Sequence, residues 1–185
     1  RSLETTARKL DLALEIRTDR HIFSTPEEFA EIAEGRKSLV LETFYRHMRK
    51  KYDVLMDGGE PVGGKWNLDD QNRDAFGKEG PEKITGPHAF RPDDVTKEVF
   101  ELIERRFADH PGQLDDFQLP VTHAQAATML RDFVKRSLPQ FGKYEDAMWT
   151  DEAFLYHTRL SAPLNVKLLD PQTCVEKAVE AYYQD

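Results

Sequence analysis

From Pro92 to Tyr183 apolar residues recur at helical spacing, and no run in that stretch reads as a strand. Val95, Val99, Leu102, Ile103 and Phe107 fall at i, i+4, i+7, i+8 and i+12, one stripe of a helix. His110-Pro111-Gly112 stops it. Pro120 and Thr122 begin another, with Gln125 completing a capping-box pattern. Its apolar side holds Ala126, Met129, Leu130 and Phe133, and Pro139 lies just beyond its end. Asp170-Pro171 reads as an N-cap followed by a first helical residue. The helix from Pro171 to Tyr183 then presents Val175, Ala178, Val179 and Tyr182. The spacing therefore predicts a chain that is mainly α, with an all-helical second region.

The first third is more mixed. Ser2 to Leu12 reads helical through Leu3, Ala7, Leu10 and Leu14, and Leu12, Leu14 and Ile16 then alternate like a short strand. Helix followed by strand is half of a βαβ unit. Thr25-Pro26-Glu27-Glu28 is a helix start with cap, proline and acids in place. Phe29, Ile32 and Ala33 form that helix's apolar side, and Gly35 ends it. Leu39 to Tyr52 reads as a further helix with a stripe of Leu41, Phe44, Tyr45 and Met48. Its Arg46, Arg49, Lys50 and Lys51 suit a DNA-facing patch, and equally suit cations at a helix C-terminus. Asp57 to Pro92 is rich in Gly, Pro, Asp and Asn and reads as a long connection. Trp66 is its candidate anchor; Lys65 follows two glycines but lacks the spacer of a P-loop.

Composition narrows the function classes. The net charge of −8 disfavours broad nonspecific nucleic-acid binding, so any DNA surface must be a local basic patch. No stretch approaches the roughly 20 apolar residues of a membrane span. The lone Cys174 excludes an internal disulfide and fits a reducing compartment, so we expect a cytoplasmic protein. The six histidines are scattered, with no HExxH and no Cys/His spacing, and imply no metal site. Glu145 and Asp146 are adjacent, and adjacent helical residues do not face each other, so no acid/base dyad is read there.

The chemistry concentrates in Phe141 to Leu169. A run of His157, Thr158, Arg159, Leu160 and Ser161 precedes Pro163 and lies between helices. Hydroxyls, backbone N–H groups and one planar guanidinium suit an anion such as a phosphate. An ordinary polar connection is the other reading of the same residues. Tyr144, in a Gly-x-Tyr-Glu setting, suits a hydrogen bond to phosphate, packing on a cofactor, or a place in the core.

HTRLSAPLNVKLLDPQTCVEKAV, at 157–179, resembles the FAD-phosphate segment of the photolyase/cryptochrome family. FGKYEDAM at 141–148 and MDGGEPVGGKWNLDDQNR at 56–73 stand in the family's order. The likeness is to the iron–sulfur bacterial branch, the deoxyribodipyrimidine photolyase-related proteins, which the histidine at 157 and Asn165 also suit. Members are much longer, and this chain opens mid-helix without a methionine, so we expect a segment of a longer protein.

The resemblance implies the end of an N-terminal α/β antenna domain over 1–55, an interdomain linker over 56–92, and the first helices of an all-helical FAD-binding domain over 93–185. It implies FAD contacts from Tyr144, His157, Thr158, Arg159, Leu160, Ser161 and Asn165, and names no catalytic residue in this stretch. The activity implied for the whole protein is that of a DNA photolyase, a lyase. It moves an electron from light-excited reduced flavin into UV-damaged DNA, with the (6–4) photoproduct as the lesion. A [4Fe-4S] cluster and a 6,7-dimethyl-8-ribityllumazine antenna are implied outside this chain, and the whole protein is expected to be monomeric. A cryptochrome-like light sensor without repair, or a helical interaction module without cofactor, are the alternatives.

Overall fold

The computed structural model describes residues 2–17, 19, 21–82 and 84–184. In chain order its elements are α1 (Ser2–Lys9), α2 (Pro26–Ala33), α3 (Leu41–Lys51), β1 (Met56–Asp57), β2 (Glu60–Pro61), α4 (Asp94–Phe107), α5 (His123–Arg136), α6 (Leu138–Phe141), α7 (Ser161–Asn165) and α8 (Pro171–Gln184). The chain is mainly helical, as its spacing predicts.

The caps explain where helices begin. The Thr25 hydroxyl accepts from the Glu28 N–H at 3.2 Å, with Pro26 opening α2. Asp93 caps α4 through the Thr96 N–H at 2.8 Å. Thr122 caps α5 through the Gln125 N–H, and Gln125 Oε1 accepts from the Val121 N–H at 2.8 Å, one residue ahead of the cap. Asp170 Oδ1 accepts from the Gln172 N–H at the start of α8.

α5 is the centre of the core. Ala126, Met129, Leu130 and Phe133, the four residues its spacing selects, are all buried. Leu160 and Leu169 pack onto the same face, joined by half-buried Phe90, Leu138, Phe141, Leu164 and Cys174. Burial pushes the Cys174 thiol above its ordinary range, with Asp170 adding to the effect. Pro163 in α7 is fully buried. α8 covers α5, and Phe133 meets Phe141 of α6 edge to face.

Two expectations fail. Leu12 to Ile16 forms no strand, and Leu12, Leu14 and Ile16 are exposed. A strand needs a partner for its backbone groups, and no described residue offers one. The stripe of α4 is only partly packed: Val95 is 68% exposed, and Thr96 is the one buried residue of the helix. Pro139 lies just beyond the end of α5, as expected, and sits in the first turn of α6, where a missing N–H costs nothing. The segment 57–92 is irregular as expected, except for a hairpin pairing Met56 with Pro61 and Asp57 with Glu60 and for short 3-10 turns at Val62–Gly64 and Asp69–Gln71. Gly58 and Gly59 turn it with φ of 56° and 88°, the positive values a two-residue hairpin loop needs.

Leu130 is 4% exposed and Leu3 is 76% exposed. Leu130→Ala should cost about 2–5 kcal/mol of unfolding free energy, and Leu3→Ala within about 0.5 kcal/mol, in denaturant titrations. Equal costs would contradict this account of the core.

Candidate functional site

The run from Leu155 to Ser161 is pinned at both ends. Leu155 and Leu160 are both 6% exposed, and Leu160 belongs to the α5 core. Between them the chain bulges outward. Arg159 has a φ of 53°, unusual for a residue with a side chain, so local packing must hold it there. Its guanidinium lies 4.4 Å from the Phe154 ring centroid, a cation–π contact that orients the planar fork. Thr158 Oγ1 accepts from the Leu160 N–H at 3.3 Å. Among the described residues, the N–H groups of Thr158, Arg159 and Ser161 donate to no protein acceptor. Three unspent donors beside a guanidinium make a surface fit for an anion.

Thr158 and Arg159 are half-buried, and His157 and Ser161 are exposed beside them. Asn165 is exposed at the far end of α7. Leu160 points into the core as the anchor.

Tyr144 is set apart from this bulge by one ring. It stacks on Phe76 at 4.5 Å and 18°, and on Tyr156 at 5.7 Å and 23°. Lys143 Nζ lies 5.0 Å from its centroid. The tyrosine ring is thus engaged within the protein. Its partner Tyr156 has its hydroxyl pKa raised by burial, and further by Tyr144 and Glu82.

The approach of Phe76 is not accidental. Asn72 Nδ2 donates to Glu145 at 3.2 Å, Arg73 pairs with Asp146, and the Asp74 N–H donates to the Lys143 carbonyl. Residues 72–74 therefore run along 143–146, and the adjacent carboxylates Glu145 and Asp146 are spent on that seam. Trp149 meets Phe76 edge-on at 6.2 Å, and a Cβ on Gly80 would lie 2.6 Å from the Trp149 ring. Phe76 and Gly80 had no signal in the sequence beyond their place in an irregular segment.

The basic end of α3 is mostly occupied. Arg49 donates to the carbonyls of Val54 and Leu55, Arg46 pairs with Glu42, and Lys51 pairs with Glu28 at 2.7 Å. Arg46, Arg49 and Lys50 all lie within 5.4 Å of the Trp66 centroid, or closer. Trp66 anchors the irregular segment on α3, and the cations chiefly serve the helix end and that anchor. A cleft of about 950 Å³ opens beside them, lined by Trp66, Arg49, Lys65, Glu145 and Tyr182 among others.

Residues 1–119 match the model of the family described as deoxyribodipyrimidine photo-lyase-related protein. The chain belongs to that family. It is 41% identical over 174 residues, 94% of its length, to a (6-4) photolyase of Agrobacterium fabrum. That match takes in 34% of the relative, so the chain spans about a third of its length. It is also 44% identical over 50 residues to an uncharacterized protein of Acanthamoeba polyphaga mimivirus, covering 27% of this chain and 24% of that one.

The hydrogen bond from Lys51 holds the Glu28 carboxyl below its ordinary range, opposed by burial and aided by His47. A lowered folded-state pKa stabilises the fold above the unfolded value, and that gain is lost as pH falls through the folded one. Glu28→Gln should therefore lower the denaturation midpoint at pH 7, and the gap should shrink toward pH 3. A gap unchanged by acid would show that the ion pair contributes nothing.

Proposed function

We propose that this chain is part of an FAD-dependent photolyase that repairs UV-damaged DNA in light, acting on (6–4) photoproducts. Its kinship with photolyase-related proteins supports a photolyase-type activity. The observation that supports the cofactor reading is the bulge at 157–161, where three nearby N–H groups have no acceptor among the described residues and the Arg159 guanidinium is held over Phe154.

In this reading Arg159 and the N–H groups of Thr158, Arg159 and Ser161 hold the diphosphate of FAD. The Thr158 and Ser161 hydroxyls add donors. Leu160 fixes the depth of the loop, His157 and Asn165 flank it, and Tyr144 serves by packing. Charge-assisted bonds of this kind are roughly twice as strong as neutral ones, and they orient as well as bind. Bound reduced flavin supplies the light-driven electron for repair. The damaged bases reach it by leaving the duplex, as in other enzymes that act on a base.

Residues 1–55 would then close an antenna domain, 56–92 link it to the next, and 93–185 open the flavin domain. With Cys174 as the single cysteine, the ligands of a [4Fe-4S] cluster would come from elsewhere in the whole protein. The same holds for a lumazine antenna.

In the full-length protein Arg159→Ala should weaken FAD retention by about 1.5–3 kcal/mol, tenfold or more in Kd, with Arg159→Lys recovering part of it. Unchanged flavin content would overturn the phosphate role. Repair of a (6–4) lesion under blue light separates an enzyme from a sensor that binds flavin without repair.

A further inference from the structure

Tyr156 immediately precedes the bulge, and its ring stacks on Tyr144, which stacks on Phe76. Phe76 comes from a segment some eighty positions earlier in the chain and is itself backed by Trp149. Gly80 permits that backing, because any side chain at its Cβ would collide with the Trp149 ring. The bulge thus has two supports of different kinds. Leu160 holds its C-terminal end in the α5 core. Its N-terminal end is held by a run of aromatic rings whose outermost plate belongs to the irregular segment.

We propose that Phe76 is a positioning residue for the anion-binding bulge: through Tyr144 and Tyr156 it fixes where His157, Thr158 and Arg159 stand. This rests on the phosphate reading of that bulge given above. Aromatic stacking sets both a distance and a plane, so it constrains orientation in a way an aliphatic contact does not. A small misplacement of a binding group is enough to lower affinity even when every contacting residue is intact. Phe76 also ties ligand affinity to the docking of residues 72–80. When that segment lifts, Tyr144 loses its plate and the loop loses its reference.

The test uses the full-length protein, with FAD as the probe, and compares Phe76→Leu, Phe76→Ala, Phe76→Tyr and Arg159→Ala. Phe76→Leu keeps apolar volume but removes the ring, so it reports positioning if Phe76→Ala fails to fold. Phe76→Leu should raise the Kd for FAD on the order of tenfold, the scale seen when a partner that orients a ligand-binding group is lost. Phe76→Tyr should restore near-native affinity. The near-ultraviolet circular dichroism of the tyrosines should change in Phe76→Leu. If Phe76→Leu lowers thermal stability but leaves the Kd unchanged while Arg159→Ala raises it, the positioning role is overturned and the phosphate reading stands. If neither variant changes the Kd, the phosphate reading falls and this inference with it.

Discussion

Burial of Leu160 against α5 is the constraint on which the candidate site depends. α5 presents a continuous apolar face, and Leu160 and Leu169 both sit on it, bracketing the short helix α7. Because Leu160 is drawn inward, the residues just before it are forced outward, and Arg159 takes a backbone conformation that side-chain residues rarely adopt. The donors of the bulge that find no acceptor among the described residues are therefore a consequence of packing. The polar residues did not have to find their own fold.

The second determinant is aromatic. Residues 72–80 lie along 143–149 by ion pairs, one backbone hydrogen bond and the packing of Phe76, Tyr144 and Trp149. The surface ion pairs of that seam contribute little each, in keeping with exposed pairs generally. The rings supply area and direction, so the seam is aromatic in energy and polar in register. Trp66 repeats the device on α3, where three cations surround one indole.

Much of this was legible in the sequence, for local reasons. Thr25, Thr122 and Asp170 are read as caps because capping needs only a side chain and an N–H two or three residues on. The buried stripe of α5 is legible because helical periodicity puts it on one face. The Gly58-Gly59 pair is a local hairpin signal set inside a stretch whose composition reads as a plain connection. The strand at Leu12 to Ile16 misled because alternation describes a face without supplying a partner. α4 misled similarly: a stripe states what a helix has to bury, and Thr96 shows that packing chose another side. The stack of Phe76, Tyr144 and Tyr156 was not legible at all, since no local pattern links residues so far apart. The polar run at 157–161 was visible in sequence, but its free amides and the tilt of Arg159 over Phe154 belong to the three-dimensional structure.

Amide hydrogen exchange at Thr158, Arg159 and Ser161 in the full-length protein, with and without FAD, tests the central claim most directly. Those amides have no acceptor among the described residues, so the account predicts fast exchange without FAD and marked slowing once its diphosphate is bound. Exchange at the three positions that is the same in both states, with flavin demonstrably bound, would contradict it.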